Sequence, residues 1–277
     1  MINCVVIYNI RSYENIKIMK IIFFYLTITS TLFASVDFSC DICKGNIEKN
    51  YFIDAWGNKY HEYHKRDGEF CSTCSRIISA RLTSGGFQFN DGRYMCRLCS
   101  TSMIDSNEKK ISSTLSIIKL LNDKGINIIE DGINISLVDK NTLKDAIIHL
   151  PSHNKETVKA ITILNNNKYE IKILWGLNQI EFESALAHEL LHVWIDYNNI
   201  RLNEAKLEGF CNLGSALVYK YYNNQLSNIL LKSMQNNKDP IYGRGYKYMN
   251  SLLKVHGWDS LKSILLNNNQ NFIYIYS

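Results

Sequence analysis

The segment Ala187-His188-Glu189-Leu190-Leu191-His192 sets two histidines four residues apart with a glutamate between them. On an α-helix, residues i and i+4 project the same way, so both imidazoles can grip one zinc ion while Glu189 reaches its water. Zinc brings the pKa of that water to about 7, and a carboxylate that takes the proton completes the machinery for attack on a carbonyl. The chemistry such a pattern predicts is hydrolysis of a peptide bond, with Glu189 expected to return the proton to the leaving amine. An ordinary amphipathic helix can carry the same three residues, but here the flanking positions are apolar and burying unpaired histidines is costly.

A second set of chemistry-bearing residues precedes this one. Cys40-x2-Cys43, His61-x2-His64, Cys71-x2-Cys74 and Cys96-x2-Cys99 supply eight ligands, enough for two tetrahedral sites. Zinc suits them, because structural sites close four soft or borderline ligands around an ion with no redox chemistry. A disulfide framework is the competing account, since the N-terminus reads as secretory and oxidising compartments favour cystine. Paired cysteines with histidines at matching intervals favour the metal. The spacing resembles a LIM domain over residues 40–99, and that resemblance implies one zinc on Cys40, Cys43, His61 and His64 and another on Cys71, Cys74, Cys96 and Cys99. It departs from the usual pattern in having His64 rather than cysteine as fourth ligand, with six residues instead of two before Cys71. LIM domains generally bind protein partners, so a docking or regulatory module is expected rather than a catalyst.

A catalytic zinc needs a third protein ligand and an open position. The extended motif that ends in Gly-x-x-His is excluded, because Ile195 and Asn198 stand where its glycine and histidine belong. Glu208, sixteen residues after His192 in Leu207-Glu208-Gly209-Phe210, leaves room for a turn and a return on a second helix. Glu204 and Asp239 are the alternatives. The arrangement resembles the gluzincin class, whose third ligand is a glutamate on the following helix, often directly before a glycine. Tyr242 or Tyr246 could donate a hydrogen bond to a tetrahedral oxyanion, although seventeen tyrosines in the chain make core packing the default for each. His149, His153 and His256 read as loop or surface residues, and Cys211 as a small buried apolar one.

These motifs, with Ile173-Leu174-Trp175-Gly176-Leu177 and Tyr242-Gly243-Arg244-Gly245-Tyr246, occur in the order found in the LIM-bearing peptidases called the "DA-one" family, the plant organ-size regulators and their bacterial relatives. The resemblance implies a zinc peptidase acting on protein or peptide substrates. Plant members are ubiquitin-activated through N-terminal interacting segments; none is visible in this sequence, so ubiquitin dependence is not expected. Leu207 replaces the second glutamate of the plant motif and leaves Glu208 without a competitor beside it.

The elements that must position these residues are legible in the periodicity. Ser113 to Lys124 reads as a helix stopped by Gly125, with Leu115, Ile118, Leu120 and Leu121 as its apolar positions. Ile133 to Val138 reads as a strand, and Lys159–Leu164 with Tyr169–Leu174 as a hairpin around an asparagine turn. Tyr169–Leu174 could be an edge along which an extended peptide lies, or a fully paired core strand. Apolar residues at three- and four-residue spacing from Ile180 to Tyr197 put His188 and His192 on one long helix. The expected fold is α+β: a LIM-type double zinc module at residues 37–103, then a zincin-like domain of gluzincin type at 104–277 with a small sheet and a mostly helical C-terminal half.

Residues 1–36 read as a targeting segment whose start could be Met19. Lys20, the fourteen apolar-rich residues Ile21 to Ala34, and Leu32 and Ala34 before a cleavage point form a signal peptide, too short for a stable membrane span. An exported protein, periplasmic or secreted, is expected. The formal charge of +5 is spread without a lysine or arginine block, so nucleic acid is not an expected partner. Metal analysis of the purified chain should find about three zinc ions per molecule; about two would leave the module alone, and about one the H-E-x-x-H site alone.

Overall fold

The computed structural model describes residues 6–8, 38–147, 158–166 and 168–267. The expected signal segment lies outside these, apart from the backbone of Val6–Tyr8, as do His149 and His153. Among the described residues no helix is long and apolar enough to cross a membrane.

The chain is a mixed α+β structure of small sheets and several helices. In its first part, strands β1 (Val6–Tyr8), β2 (Tyr51–Ile53) and β3 (Lys59–His61) make an antiparallel sheet, followed by the short helix α1 (Glu62–Asp67). Helix α2 (Ala80–Thr83), the hairpin of β4 (Gly86–Gln88) and β5 (Tyr94–Cys96), and helix α3 (Arg97–Ser100) complete it. Its apolar knots are small. One is built on Ile47, Tyr51, Phe52, Tyr60 and Ile77, and in the other Phe89 and Met95 are buried with four cysteines while Trp56, Ile78, Phe87, Met103 and Leu226 pack against them half-buried. Cores this thin need a staple, which is the physical reason to look for metal there.

The larger part runs α4 (Asn107–Asn122), β6 (Ile133–Val138), α5 (Lys140–Ala146), β7 (Ala160–Asn165), β8 (Lys168–Leu174), α6 (Gln179–Tyr197), α7 (Glu204–Tyr222), α8 (Gln225–Asn236) and α9 (Tyr242–Asn267). Strand β8 is central in the order β6-β8-β7, parallel to β6 and antiparallel to β7. Tyr169–Leu174 is therefore paired on both sides, and the outer strands of this sheet are β6 and β7. The burial of Ile171 and Ile173 explains this, since a strand inserted between two others puts its alternate residues against the helices. Asparagines act as punctuation: Asn178, Asn203 and Asn224 cap α6, α7 and α8, while Asn166, Asn199 and Asn223 take left-handed backbone in the connections. Helix α4 starts earlier than its apolar pattern suggests, because the Ser106 side chain accepts from Lys109 N at 3.3 Å. Its buried face is Ile117, Ile118 and Leu121, and Leu115 is 55% exposed.

Helix α7 is clasped from both sides at glycines. A side-chain carbon on Gly209 would lie 2.3 Å from the Gly245 backbone in α9, and one on Gly214 would lie 2.8 Å from the Ala187 carbonyl in α6. These backbones touch. An alanine replacing glycine in an exposed helix stabilises by about 1 kcal/mol, but Gly209→Ala should destabilise by about 1–3 kcal/mol through overpacking. The thermal midpoint reports the sign: a rise would mean that α7 and α9 do not meet at this point.

Candidate metal centres

Four cysteines of the thin core converge. Cys71 and Cys74 come from a tight turn in which Ser75 N donates to Cys71 O at 2.9 Å and Ser75 is left-handed; Cys96 ends β5 and Cys99 lies in α3. All four are buried, all seven described cysteines are free thiols, and the Sγ atoms of Cys74 and Cys96 are 3.8 Å apart. Two thiolates on one tetrahedral ion, each about 2.3 Å from it, stand about 3.8 Å apart, whereas a cystine would need about 2.05 Å. Cys96 N donates to Cys71 Sγ and Arg76 Nε to Cys74 Sγ, both at 3.3 Å, which supports negative sulfur. Arg76 also lies 3.9 Å over the Trp56 ring, whose Nε1 donates to Cys74 O at 2.8 Å. Hydrogen bonds among the sulfurs push the Cys71 thiol far down and those of Cys74 and Cys99 up, so the four share their protons unevenly, with Cys71 giving up its proton first.

The first cluster, Cys40, Cys43, His61 and His64, is more open, with Cys43 exposed. Hydrogen bonds from His64, then Tyr63, bring the Cys43 thiol down to about 5. His61 Nε2 lies 3.0 Å from the Asn46 carbonyl, which can only accept, and its Nδ1 faces Cys43 Sγ at 3.5 Å. His64 Nε2 is buried with no protein partner. An ion would satisfy it. In both clusters each member offers a ligand atom within 4.8 Å of the others, and the donor sets fit zinc.

A third cluster sits in the helical half. His188 and His192 project from one face of α6, and Glu208 reaches them from the second turn of α7. The three pairs of ligand atoms are 3.1 Å (His188 Nε2 to His192 Nε2), 3.2 Å (His188 Nε2 to Glu208 Oε2) and 3.6 Å (His192 Nε2 to Glu208 Oε1) apart. Nitrogen and oxygen ligands about 2.0–2.1 Å from a tetrahedral ion would be separated by about 3.3 Å. Burial would lower His188, yet the hydrogen bond and charge of Glu208 hold it above its ordinary value; burial and the neighbouring His188 push His192 down. Burial would raise Glu208, but His188 holds it low. A metal fits this set as well. The Cys211 thiol, one turn beyond Glu208 and buried, also lies within 4.8 Å of a ring nitrogen of each histidine.

All three residues open onto a cleft of about 1340 Å³, whose walls come from β7, α6, α7 and, across the gap, the Phe70–Ser75 turn of the cysteine module. Glu189 lies in it too, and its Oε2 accepts from Thr162 Oγ1 at 2.7 Å. The other sequence candidates separate. Glu204 is exposed at the start of α7, and Asp239 spends Oδ1 capping the backbone of Ile241 and Tyr242. Tyr242 lines the cleft, and burial with nearby carboxylates, Glu208 first, raises it to about 12. Tyr246 is 1% exposed in the core under α7, so it does not reach the cleft, because the Gly209–Gly245 contact presses this turn of α9 against α7. His256 is exposed beside the break in α9 at Gly257. Two residues were not found from sequence. Asn212 lies beside His188, helps to raise its pKa, and stands one helical turn after Glu208, a spacing that could have flagged it. Thr162 arrives from a strand twenty-seven residues before Glu189, and no linear pattern points to it.

The module is tied to the site helix by its backbone. Asn178 Nδ2 donates to Cys99 O at 3.0 Å and to Ser102 Oγ at 2.6 Å, while its Oδ1 accepts from Ile180 N at 3.0 Å and so caps α6. Gln179 N donates to Ser102 O, and Ile104 N to Leu177 O, at 2.7 and 2.9 Å.

Among known proteins, the chain is similar to Protein DA1 of Arabidopsis thaliana, with 24% identity over 217 residues, 63% of this chain and 40% of that protein. The chain thus spans well under half the length of this curated relative. No family model and no solved structure matches. The distant likeness agrees with the LIM-like reading of the Cys/His clusters. Cys96→Ser should remove about one zinc ion per chain and soften the fold around Trp56; unchanged metal content would take the four-cysteine cluster out of the list of metal sites.

Proposed function

We propose that the chain is a zinc-dependent endopeptidase of gluzincin type, residues 104–277, preceded by a LIM-like module at residues 37–103 that helps to select or admit its protein substrates. The observation that carries this is the His188–His192–Glu208 triangle opening onto the same cleft as Glu189. His188, His192 and Glu208 would hold the ion, which when bound supplies Lewis acidity that polarises a carbonyl and acidifies water.

The remaining chemistry belongs to the chain. Glu189 takes the proton of the attacking water and passes it to the leaving amine. Asn212 fixes the ring orientation of His188, so that its Nε2 faces the other ligands. Strand β7 borders the cleft through Ala160, Ile161, Thr162 and Leu164, and its outer edge can pair with the main chain of an extended substrate. Tyr242 donates to the developing oxyanion, a task suited to a phenol held protonated with a pKa near 12. The N-terminal pattern supports export of the enzyme.

Cys211 favours a second reading. Were its thiolate to join the two histidines and Glu208, the ion would be enclosed by four protein ligands and would be structural, as in a non-catalytic protein-interaction module. Substitution separates the two. Glu189→Gln should keep its metal and lose about a thousandfold in cleavage of a denatured protein, and Cys211→Ser should keep both metal and activity. Equal cleavage by Glu189→Gln and the parent would end the enzyme reading; loss of the ion in Cys211→Ser would establish the closed site.

A further inference from the structure

Resting on the peptidase reading, we infer that Thr162 is the positioning residue that clamps Glu189. Thr162 stands in β7, in register with Ile171 of the central strand β8, so its backbone is fixed by the ladder. Its β-branched side chain has little rotational freedom, and it aims the hydroxyl at α6. Oγ1 donates to Glu189 Oε2 at 2.7 Å and lies 3.3 Å from the Glu189 carbonyl.

The physical need for such a clamp follows from the acid itself. The terminal torsion of a glutamate is soft and roughly two-fold, so the carboxylate plane is not set by its own rotamer. Glu189 is only 7% exposed, and water cannot freely hold its oxygens. The hydroxyl satisfies Oε2, fixes the plane, and leaves Oε1 for proton transfer. The donor also comes from the strand whose outer edge borders the cleft, so any displacement of β7 on substrate pairing is passed directly to the base. Valine has the same shape and would place a methyl group where the carboxylate needs a donor; serine would keep the donor.

The test compares the full-length parent, Thr162→Val and Thr162→Ser, with fluorescein-labelled denatured casein as substrate. Thr162→Val should retain its zinc, lower kcat about ten- to a hundredfold and leave KM within about twofold; Thr162→Ser should recover most of kcat. A purely structural role would give no rescue by serine and no selective loss in kcat. A cycle of thermal midpoints supplies an activity-independent reading. Thr162→Val should lower the midpoint by about 3 °C when residue 189 is glutamate and leave it unchanged in Glu189→Ala. Equal shifts in both backgrounds, or full kcat in Thr162→Val, overturn the assignment. A parent that cleaves nothing overturns the peptidase reading, and with it the catalytic purpose of the clamp, while the cycle separately decides whether the clamp exists.

Discussion

Backbone-to-backbone contact between helices is the constraint on which the molecule turns. Gly214 lets α7 lie against the Ala187 carbonyl, the residue immediately before His188, and Gly209 lets α9 press on α7 from behind. Without that closeness a glutamate on α7 could not come within 3.2 Å of an imidazole on α6. The glycines cost helix propensity of about 1 kcal/mol each, and what they return is geometry. The dense core around Phe182, Leu186, Leu190, Phe210 and Leu213 then holds the two helices in register.

The legible parts of the site were those written along one helix. His188 and His192 were found because four residues make one turn, and Glu208 because a helix, a short turn and a second helix have a predictable reach. The hairpin and β6 were visible from alternation and from the asparagines between them. What could not be read is what tertiary pairing decides. The parallel union of β6 with β8 decided between the edge and core alternatives for Tyr169–Leu174 in favour of the core, and helix α5 has too little apolar periodicity to announce itself. Tyr242 and Tyr246 look equivalent in sequence, yet one turn of α9 separates a cleft wall from a sealed core.

The cysteine clusters show the converse. Their elements are three to six residues long and would be unconvincing as secondary structure, but the ligand spacing alone predicted where the chain must fold back on itself. Ligand chemistry does there what hydrophobic periodicity does in the helical half. Arg76 illustrates how little apolar material is needed, since one guanidinium covers Trp56 and donates to the Cys74 sulfur.

Asn178 gives the molecule a mechanical property. Because one amide both caps α6 and grips the last cysteine turn, the small module is a strut rather than a handle on a string. A protein that seized the module and rotated it would draw on the first turn of the helix bearing the histidines, so a pull on the module and local order at the cleft would meet at the same amide.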